Sequence, residues 1–262
     1  MKANPDDKEL SFLEHLVELR SRLLKASLAI LVILLVLLPF SRKLYALLAA
    51  PLTSVLPEGS SMIAIDVASP FLTPFKLALL LSLILAIPVV LFQLWAFVAP
   101  ALYRQEKRLA RPLLYTSVVL FYAGCAFAYF VVFPLVFGFF TQVAPEGVTV
   151  MTDISKYLDF VMTLFLAFGI TFEVPIATII LVATGVTTID QLTRARPYVV
   201  VGAFALGMVL TPPDVISQTL LAVPMWLLFE AGIVMSRILL PHRKTRAANP
   251  DSQEPEDPQA TS

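Results

Sequence analysis

The feature that most constrains this chain is a series of apolar blocks, each long enough to cross the hydrocarbon core of a bilayer, which is about 30 Å thick. Backbone polar groups cannot stay unpaired in hydrocarbon, and a helix satisfies them within one segment. Only 15% of the 262 residues are charged, whereas a soluble domain carries about a quarter. The sequence therefore predicts an all-α polytopic membrane protein.

Hydropathy and length predict six transmembrane helices and divide the chain into three parts. Residues 1–22 form a cytoplasmic amphipathic segment, 23–236 the six-helix domain, and 237–262 an acidic, proline-rich tail that is expected to be disordered. The fifth and sixth helices are short and follow each other closely, which predicts a shallow hairpin. The predicted spans are 23–41, 75–98, 113–137, 157–183, 198–211 and 216–236.

Lysine and arginine predict the orientation of these spans, because cytoplasmic loops carry an excess of both. Fifteen lie in the segments on the side of the N-terminus and three in the loops on the other side. Both termini are therefore expected to be cytoplasmic.

Prolines inside four of the spans predict bent helices rather than a straight bundle, because proline removes a backbone donor and clashes with the preceding turn. They are Pro88, Pro134, Pro175 and Pro224.

Several kinds of chemistry have no signal in the sequence. There is no phosphate-binding G-x-x-x-x-G-K-[ST] motif, and the only histidines, His15 and His242, lie near opposite ends of the chain. We therefore expect no enzymatic activity, no metal site and no cofactor.

The stretch "FLEHLVELRSRLLK", residues 12–25, forms an amphipathic helix with Glu18 and Arg22 at a favourable i,i+4 spacing on its polar face. Arg20 interrupts the apolar face. Two interpretations fit it: the side chain reaches the phospholipid headgroups, or it is an anchor with a fixed partner at the cytoplasmic surface.

The first cytoplasmic loop carries one acid, Glu106, among four basic residues, with Phe97 at the membrane edge. An ordinary positively charged loop accounts for this composition. Alternatively, Glu18 and Glu106 form a carboxylate pair that receives a cationic ligand, since guanidinium groups match carboxylates bidentately.

Polar residues also fall within the predicted membrane region: Glu173, Gln218 and Glu230, with Asp214 at the tip of the last hairpin. A carboxylate at this depth is a functional hypothesis by default. Glu173 fits three roles, namely a proton relay, a partner for a polar group on another chain, or a neutral packing residue. Gly169 and Ala177 share its helix face and predict room beside it.

Six stretches, in order, resemble the TatC family, the polytopic receptor subunits of the twin-arginine protein translocase. The resemblance covers about residues 10–236. The matching stretches are "FLEHLVELRSRL", "IDVASPFLTPFKLAL", "WAFVAPALYRQEKR", "FAYFVVFPLVFGF", "FGITFEVPI" and "RPYVVVGAFALGMVLTPPDVISQTLLAVPMWLLFE".

The resemblance implies a multi-pass protein of the bacterial cytoplasmic (inner) membrane that binds twin-arginine signal peptides of folded precursors at the cytoplasmic face. It implies assembly with TatA-type and TatB-type single-span proteins in a homo- and hetero-oligomer, export driven by the proton-motive force, and no nucleic-acid partner.

The resemblance also implies roles for individual residues. For signal-peptide binding they are Glu18, Arg20, Phe97, Glu106 and Arg108. For docking of partner helices they are Met208, Thr211 and Gln218, with Pro51 and Asp214 as structurally sensitive external positions and Glu173 on a concave membrane face.

A proton-coupled small-molecule transporter that uses Glu173 as its relay is the alternative. Such transporters commonly contain inverted repeats, and no repeat is visible in this sequence.

Overall fold

The computed structural model describes residues 5–53, 62–98, 110–142, 151–210 and 215–240. Side chains are described for 17–50, 62–97, 111–139, 151–209 and, apart from 216, 217 and 220, for 215–240. Within these ranges the structure is helical, with one isolated β-bridge between Ile63 and Asp153. The predicted all-α class is confirmed.

Nine α-helices occur in the described part of the chain, and two pairs of consecutive helices are joined by a short 3₁₀ or π-helical turn. A 3₁₀ turn, Leu38–Phe40, links the first two helices, and a π-helical turn, Ala128–Val132, links the fourth and fifth. The helices are α1 Pro5–Leu37, α2 Ser41–Thr53, α3 Ser69–Val98, α4 Ala110–Phe127, α5 Phe133–Gln142, α6 Ile154–Thr171, α7 Val174–Ala183, α8 Ile189–Leu210 and α9 Val215–Leu239.

Five helical stretches in the described residues are long and apolar enough to cross a membrane. They contain the first, third and fourth predicted spans and overlap most of the second and the sixth. The fifth, 198–211, overlaps the second half of α8 as far as Leu210, and α8 is outside this group, so the count of six spans stays a prediction. The five stretches are Val17–Ala50, Ser69–Phe97, Arg111–Phe139, Ile154–Ala183 and Leu221–Leu239.

The helix that is predicted to bend at Pro175 is interrupted next to it. The fourth apolar stretch consists of α6 and α7, with Phe172 and Glu173 between them and Pro175 at the start of α7. Proline has no N–H to donate to the preceding turn, so the helix is interrupted there. By contrast, Pro88 and Pro224 lie inside helices that continue through them.

Small residues set the closest approaches between helices. A Cβ atom on Gly124 of α4 would lie 2.6 Å from the carbonyl oxygen of Phe168 in α6. One on Gly232 of α9 would lie 2.2 Å from the hydroxyl of Thr178 in α7. Since lipid tails remove the hydrophobic drive for helix association, such close van der Waals packing carries much of the stability.

α1 lies at the edge of the bundle. None of the most apolar part of Val17–Ala50 is buried, against 44% of that part in Ser69–Phe97. α1 packs against α3. Its half-buried residues recur every three or four positions and therefore form the side that faces α3: Glu18, Arg22, Ala26, Ala29, Ile33 and Leu37.

Candidate functional site

Glu18 lies on the side of α1 that faces α3, and it is already bound to a guanidinium. Arg22, one turn later, donates from Nε to Glu18 Oε1 at 3.0 Å, and its Nη2 donates to the same oxygen. The Glu18 side chain is 39% exposed. The predicted i,i+4 pair is confirmed, and Glu18 is a half-exposed carboxylate whose present partner is a side chain.

Phe97 lies at the same end of the bundle as Glu18. It is half-buried and immediately precedes Val98, the last residue of α3. Successive spans cross the membrane in opposite directions, so α3 ends on the side of the bundle on which the predicted span 23–41 begins. Glu106 and Arg108 lie outside the described residues, so the pairing of Glu106 with Glu18 stays a prediction.

Arg20 points away from Glu18. It is exposed, as are the neighbouring Leu19 and Leu23, so the apolar face of this part of α1 is turned away from α3. Glu18 and Arg20 therefore lie on opposite sides of α1, as the amphipathic pattern predicts, and the role in signal-peptide binding that the resemblance implies for both stays a prediction.

Glu173 lies in the break between α6 and α7 and is half-buried. The hydroxyl of Ser117 in α4 donates a hydrogen bond to its Oε2. Its other oxygen, Oε1, is buried and has no hydrogen-bond partner among the described residues. An unsatisfied buried acceptor costs about 1–3 kcal/mol, so this oxygen favours a further donor.

The space predicted beside Glu173 is partly filled within the chain. A Cβ atom on Gly169 would lie 2.7 Å from the ring of Phe121 in α4, so that ring occupies the room that the glycine leaves. Ala177 remains exposed on the surface of α7.

The predicted docking residues lie along the α8–α9 hairpin. Met208 is 57% exposed near the end of α8. Gln218 in α9 is half-buried and donates from Nε2 to the carbonyl oxygen of Phe204 at 2.8 Å. Thr211 and Asp214 lie outside the described residues.

Glu230 has a partner that the sequence did not indicate. Arg196 of α8 donates from Nη2 to Glu230 Oε2 of α9 at 2.7 Å. Sequence reasoning assigned Arg196 to a cytoplasmic loop, but α8 begins at Ile189 and carries it into the helix pair.

At the opposite end of the bundle from Glu18, Asp153 joins two segments of the chain. Its Oδ2 accepts from the backbone N–H of Ile65 at 2.9 Å, and its Oδ1 accepts from the N–H groups of Ser155 and Lys156 at the start of α6. The amides of Ile65 and then Lys156 hold the pKa of Asp153 below its usual value. An aspartate before an apolar run is a helix-cap signal, but nothing in the sequence indicated its bond to Ile65.

Two tyrosines form hydrogen bonds at the same end of the bundle as Asp153. Tyr157 donates to the carbonyl oxygen of Leu48 at 3.0 Å, and Tyr45 donates to that of Ile154 at 3.4 Å. These bonds fix α2 to the start of α6. Pro51 lies in α2, and its side chain is outside the description.

The described residues form long apolar helices, one of which is broken at a proline. Carboxylates lie near the ends of the apolar stretches and at the break. These features define a polytopic α-helical membrane protein. A family model described as Sec-independent protein translocase protein (TatC) matches residues 14–224. The chain belongs to this family of protein translocases.

Relatives span nearly the whole chain. A Sec-independent protein translocase protein TatC of Azotobacter chroococcum mcd 1 is 58% identical over 97% of this chain and 100% of its own length. That of Escherichia coli K12 is 58% identical over 88% and 90%. A crystal structure of the twin arginine translocase receptor TatC matches with a TM-score of 0.76 and 38% identity, covering 86% of this chain and 98% of that one.

The comparisons confirm the resemblance and the function class of the twin-arginine translocation system. They give no support to the alternative of a small-molecule transporter. Among the described residues, no group of three His, Cys, Asp or Glu side chains is arranged to hold a metal ion.

Proposed function

We propose that this chain is the receptor subunit of the twin-arginine translocase, with its signal-peptide site at the cytoplasmic face of the inner membrane. It assembles with TatA-type and TatB-type single-span proteins, and the assembly exports folded precursors with energy from the proton-motive force. The observation that carries the proposal is Glu18, a half-exposed carboxylate that binds a guanidinium on the inner side of α1.

The geometry of Glu18 supports exchange of one guanidinium for another. A carboxylate has about four acceptor positions, and Arg22 uses Oε1. An arginine of a signal peptide binds the carboxylate beside Arg22 or displaces it, since both offer the same planar set of donors. Two consecutive arginines need two acceptors, and Glu106 is the second.

Three further residues have predicted roles in signal-peptide recognition beside Glu18 and Glu106. Phe97, at the end of α3, offers an aromatic edge to the apolar part of the peptide, and Arg108 lies in the same loop as Glu106. Arg20 acts from the opposite side of α1, so its contribution to recognition is through the position of the helix rather than through contact with the cationic peptide.

Partner helices dock on the hairpin of α8 and α9. Met208 offers exposed, adaptable apolar surface. The bond of Gln218 to the Phe204 carbonyl fixes its amide, so the polar group presented to a partner has a defined position, and Thr211 adds a hydroxyl. Glu173, half-buried in the break between α6 and α7, is the polar group that a partner helix approaches within the membrane.

Site-specific crosslinking of a twin-arginine signal peptide tests the receptor function. A photo-reactive residue near position 106 is expected to label the peptide, and the label is expected to disappear when the two arginines become lysines. A probe at Lys43, at the other end of the first apolar stretch, is the control. Equal labelling of both peptides at position 106 would contradict the proposal.

Charge reversal tests the carboxylate assignment itself. Glu106→Lys is expected to abolish peptide binding in a protein that is inserted and expressed at the normal level. If the peptide binds this variant as it binds the parent protein, Glu106 is not an acceptor for the arginine pair.

A further inference from the structure

A shallow groove of about 390 Å³ runs along the outer side of α1. At 100° per residue, Val17, Leu24 and Leu28 form one apolar stripe. Arg20 and Lys25 flank that stripe on its two sides. The groove is lined by Val17, Arg20, Ser21, Leu24, Lys25 and Leu28.

The two cations of this groove have no carboxylate partner among the described residues, where the ion pairs are Arg22 with Glu18, Lys76 with Asp159, and Arg196 with Glu230. Arg22, only two residues from Arg20, is neutralised on the inner side of α1. The positive charge of Arg20 and Lys25 is therefore left on the outer side, where both residues are exposed.

The position of Arg20 and Lys25 along α1 indicates which part of the membrane surrounds their positive charge. The first predicted span covers residues 23–41, so Arg20 lies just before it and Lys25 lies in its first turn, where hydrocarbon gives way to headgroups. Beyond them the same helix stays apolar and at least 50% exposed at Leu28, Leu31 and Val32. The surface is thus cationic at one end and apolar along its length.

We propose that this groove binds an anionic phospholipid of the bilayer, with the headgroup phosphate between Arg20 and Lys25 and an acyl chain along Leu24 and Leu28. The Ser21 hydroxyl is placed to donate to the same phosphate. Only an amphiphile with a negative head matches both parts of the groove. A twin-arginine peptide is repelled by the two cations.

Bound lipid gives α1 a fixed rotation about its axis. The helix has few inward contacts besides those with α3, and none of its most apolar part is buried. A headgroup held on the outer side keeps Glu18 and Arg22 turned toward α3. This inference concerns a lipid site and stands independently of the proposed peptide site.

A photoactivatable phosphatidylglycerol in nanodiscs containing the full chain tests the site. We expect crosslinks within residues 17–31, and much weaker ones from the matching phosphatidylcholine probe. Each cation near an anionic lipid contributes roughly a fivefold change in binding. Arg20→Gln with Lys25→Gln is therefore expected to lower labelling there by tenfold or more.

Matched variants separate this site from general charge effects. Arg42→Gln with Lys43→Gln removes the same charge at the other end of the stretch and is expected to leave labelling of residues 17–31 within about twofold. Arg20→Lys retains the charge and is expected to retain the label, which would show that the charge at this position, and not the arginine side chain itself, holds the lipid.

Several results would overturn the proposal. They are equal labelling by the phosphatidylcholine probe, unchanged labelling in Arg20→Gln with Lys25→Gln, or an equal loss in both double variants. Loss of the label with excess inorganic phosphate would indicate a site for free anions. Loss with excess twin-arginine peptide would indicate that the peptide occupies the groove.

Discussion

Two carboxylates at opposite ends of the bundle, Asp153 and Glu18, are bound in opposite ways. Asp153 is 9% exposed and accepts three backbone N–H groups from two separate segments. Glu18 is half-exposed and accepts from one side chain on its own helix. Backbone donors cannot leave unless the fold opens, whereas a side chain can rotate away. The first arrangement holds the structure together, and the second leaves a carboxylate that can change partners.

The largest effect that we expect from changing one of these two carboxylates is on peptide binding. Glu18→Gln keeps the shape of the side chain but removes the charge, and a charge-assisted bond to a guanidinium is about twice as strong as a neutral one. We expect a twin-arginine peptide to bind roughly ten- to hundredfold more weakly, as measured by its Kd in nanodiscs.

Asp153→Asn is the matched control for that measurement, because it makes the same chemical change at the other end of the bundle. We expect it to change the Kd by less than about threefold. Comparable losses of affinity in both variants would show that the two carboxylates do not differ in role as the structure indicates.

The next largest effect is expected on local opening at the end of the bundle where Asp153 lies. Asp153→Ala removes the cap of α6 and the acceptor of the Ile65 amide together, and loss of such a cap is expected to speed local opening by about tenfold. Hydrogen–deuterium exchange at Ile65, Ser155 and Lys156 measures it. Faster exchange at the first turns of α1 and not at these amides would contradict the assignment.

Glu230 is bound in a way that is intermediate between Asp153 and Glu18. Its partner Arg196 is a side chain, as for Glu18, but it belongs to another helix. The pair is partly exposed, so Glu230→Gln is expected to lower the free energy of unfolding in detergent by about 1 kcal/mol. Arg196→Gln with Glu230→Gln is expected to recover part of this loss, because it leaves no unpaired charge. A double variant that is less stable than the single one would show that Arg196 stabilises the fold through contacts other than the one with Glu230.

The sequence was sufficient for features that depend on neighbouring residues. Length and hydropathy located the apolar helices, Pro175 indicated a bend where the structure has an interruption, and the four-residue spacing of Glu18 and Arg22 gave their ion pair. The bonds of Glu173 and Glu230 could not be predicted, because Ser117 is 56 residues from Glu173 and Arg196 is 34 from Glu230. Such contacts depend on how helices rotate and pack.

The helical pattern placed Glu18 and Arg20 on opposite faces of α1, and the resemblance to the family implied a role in signal-peptide binding for both. Both residues lie in the stretch that resembles the family, and a sequence match carries no information about which side of α1 faces α3. The alternation of half-buried and exposed residues along the helix shows which side that is. Only that packing shows that one of them faces the bundle and the other the lipid.

The smallest expected effect is the pH dependence of the Asp153 end. Its folded pKa lies below the unfolded value, which is about 3.9. The stabilisation is therefore complete above the unfolded pKa and is lost as the pH falls through the folded pKa. We expect exchange at the Ile65 amide, corrected for its intrinsic rate, to be constant above about pH 5 and to rise several-fold below about pH 4. Asp153→Asn cannot titrate, so the same rise in that variant would show that another group is responsible.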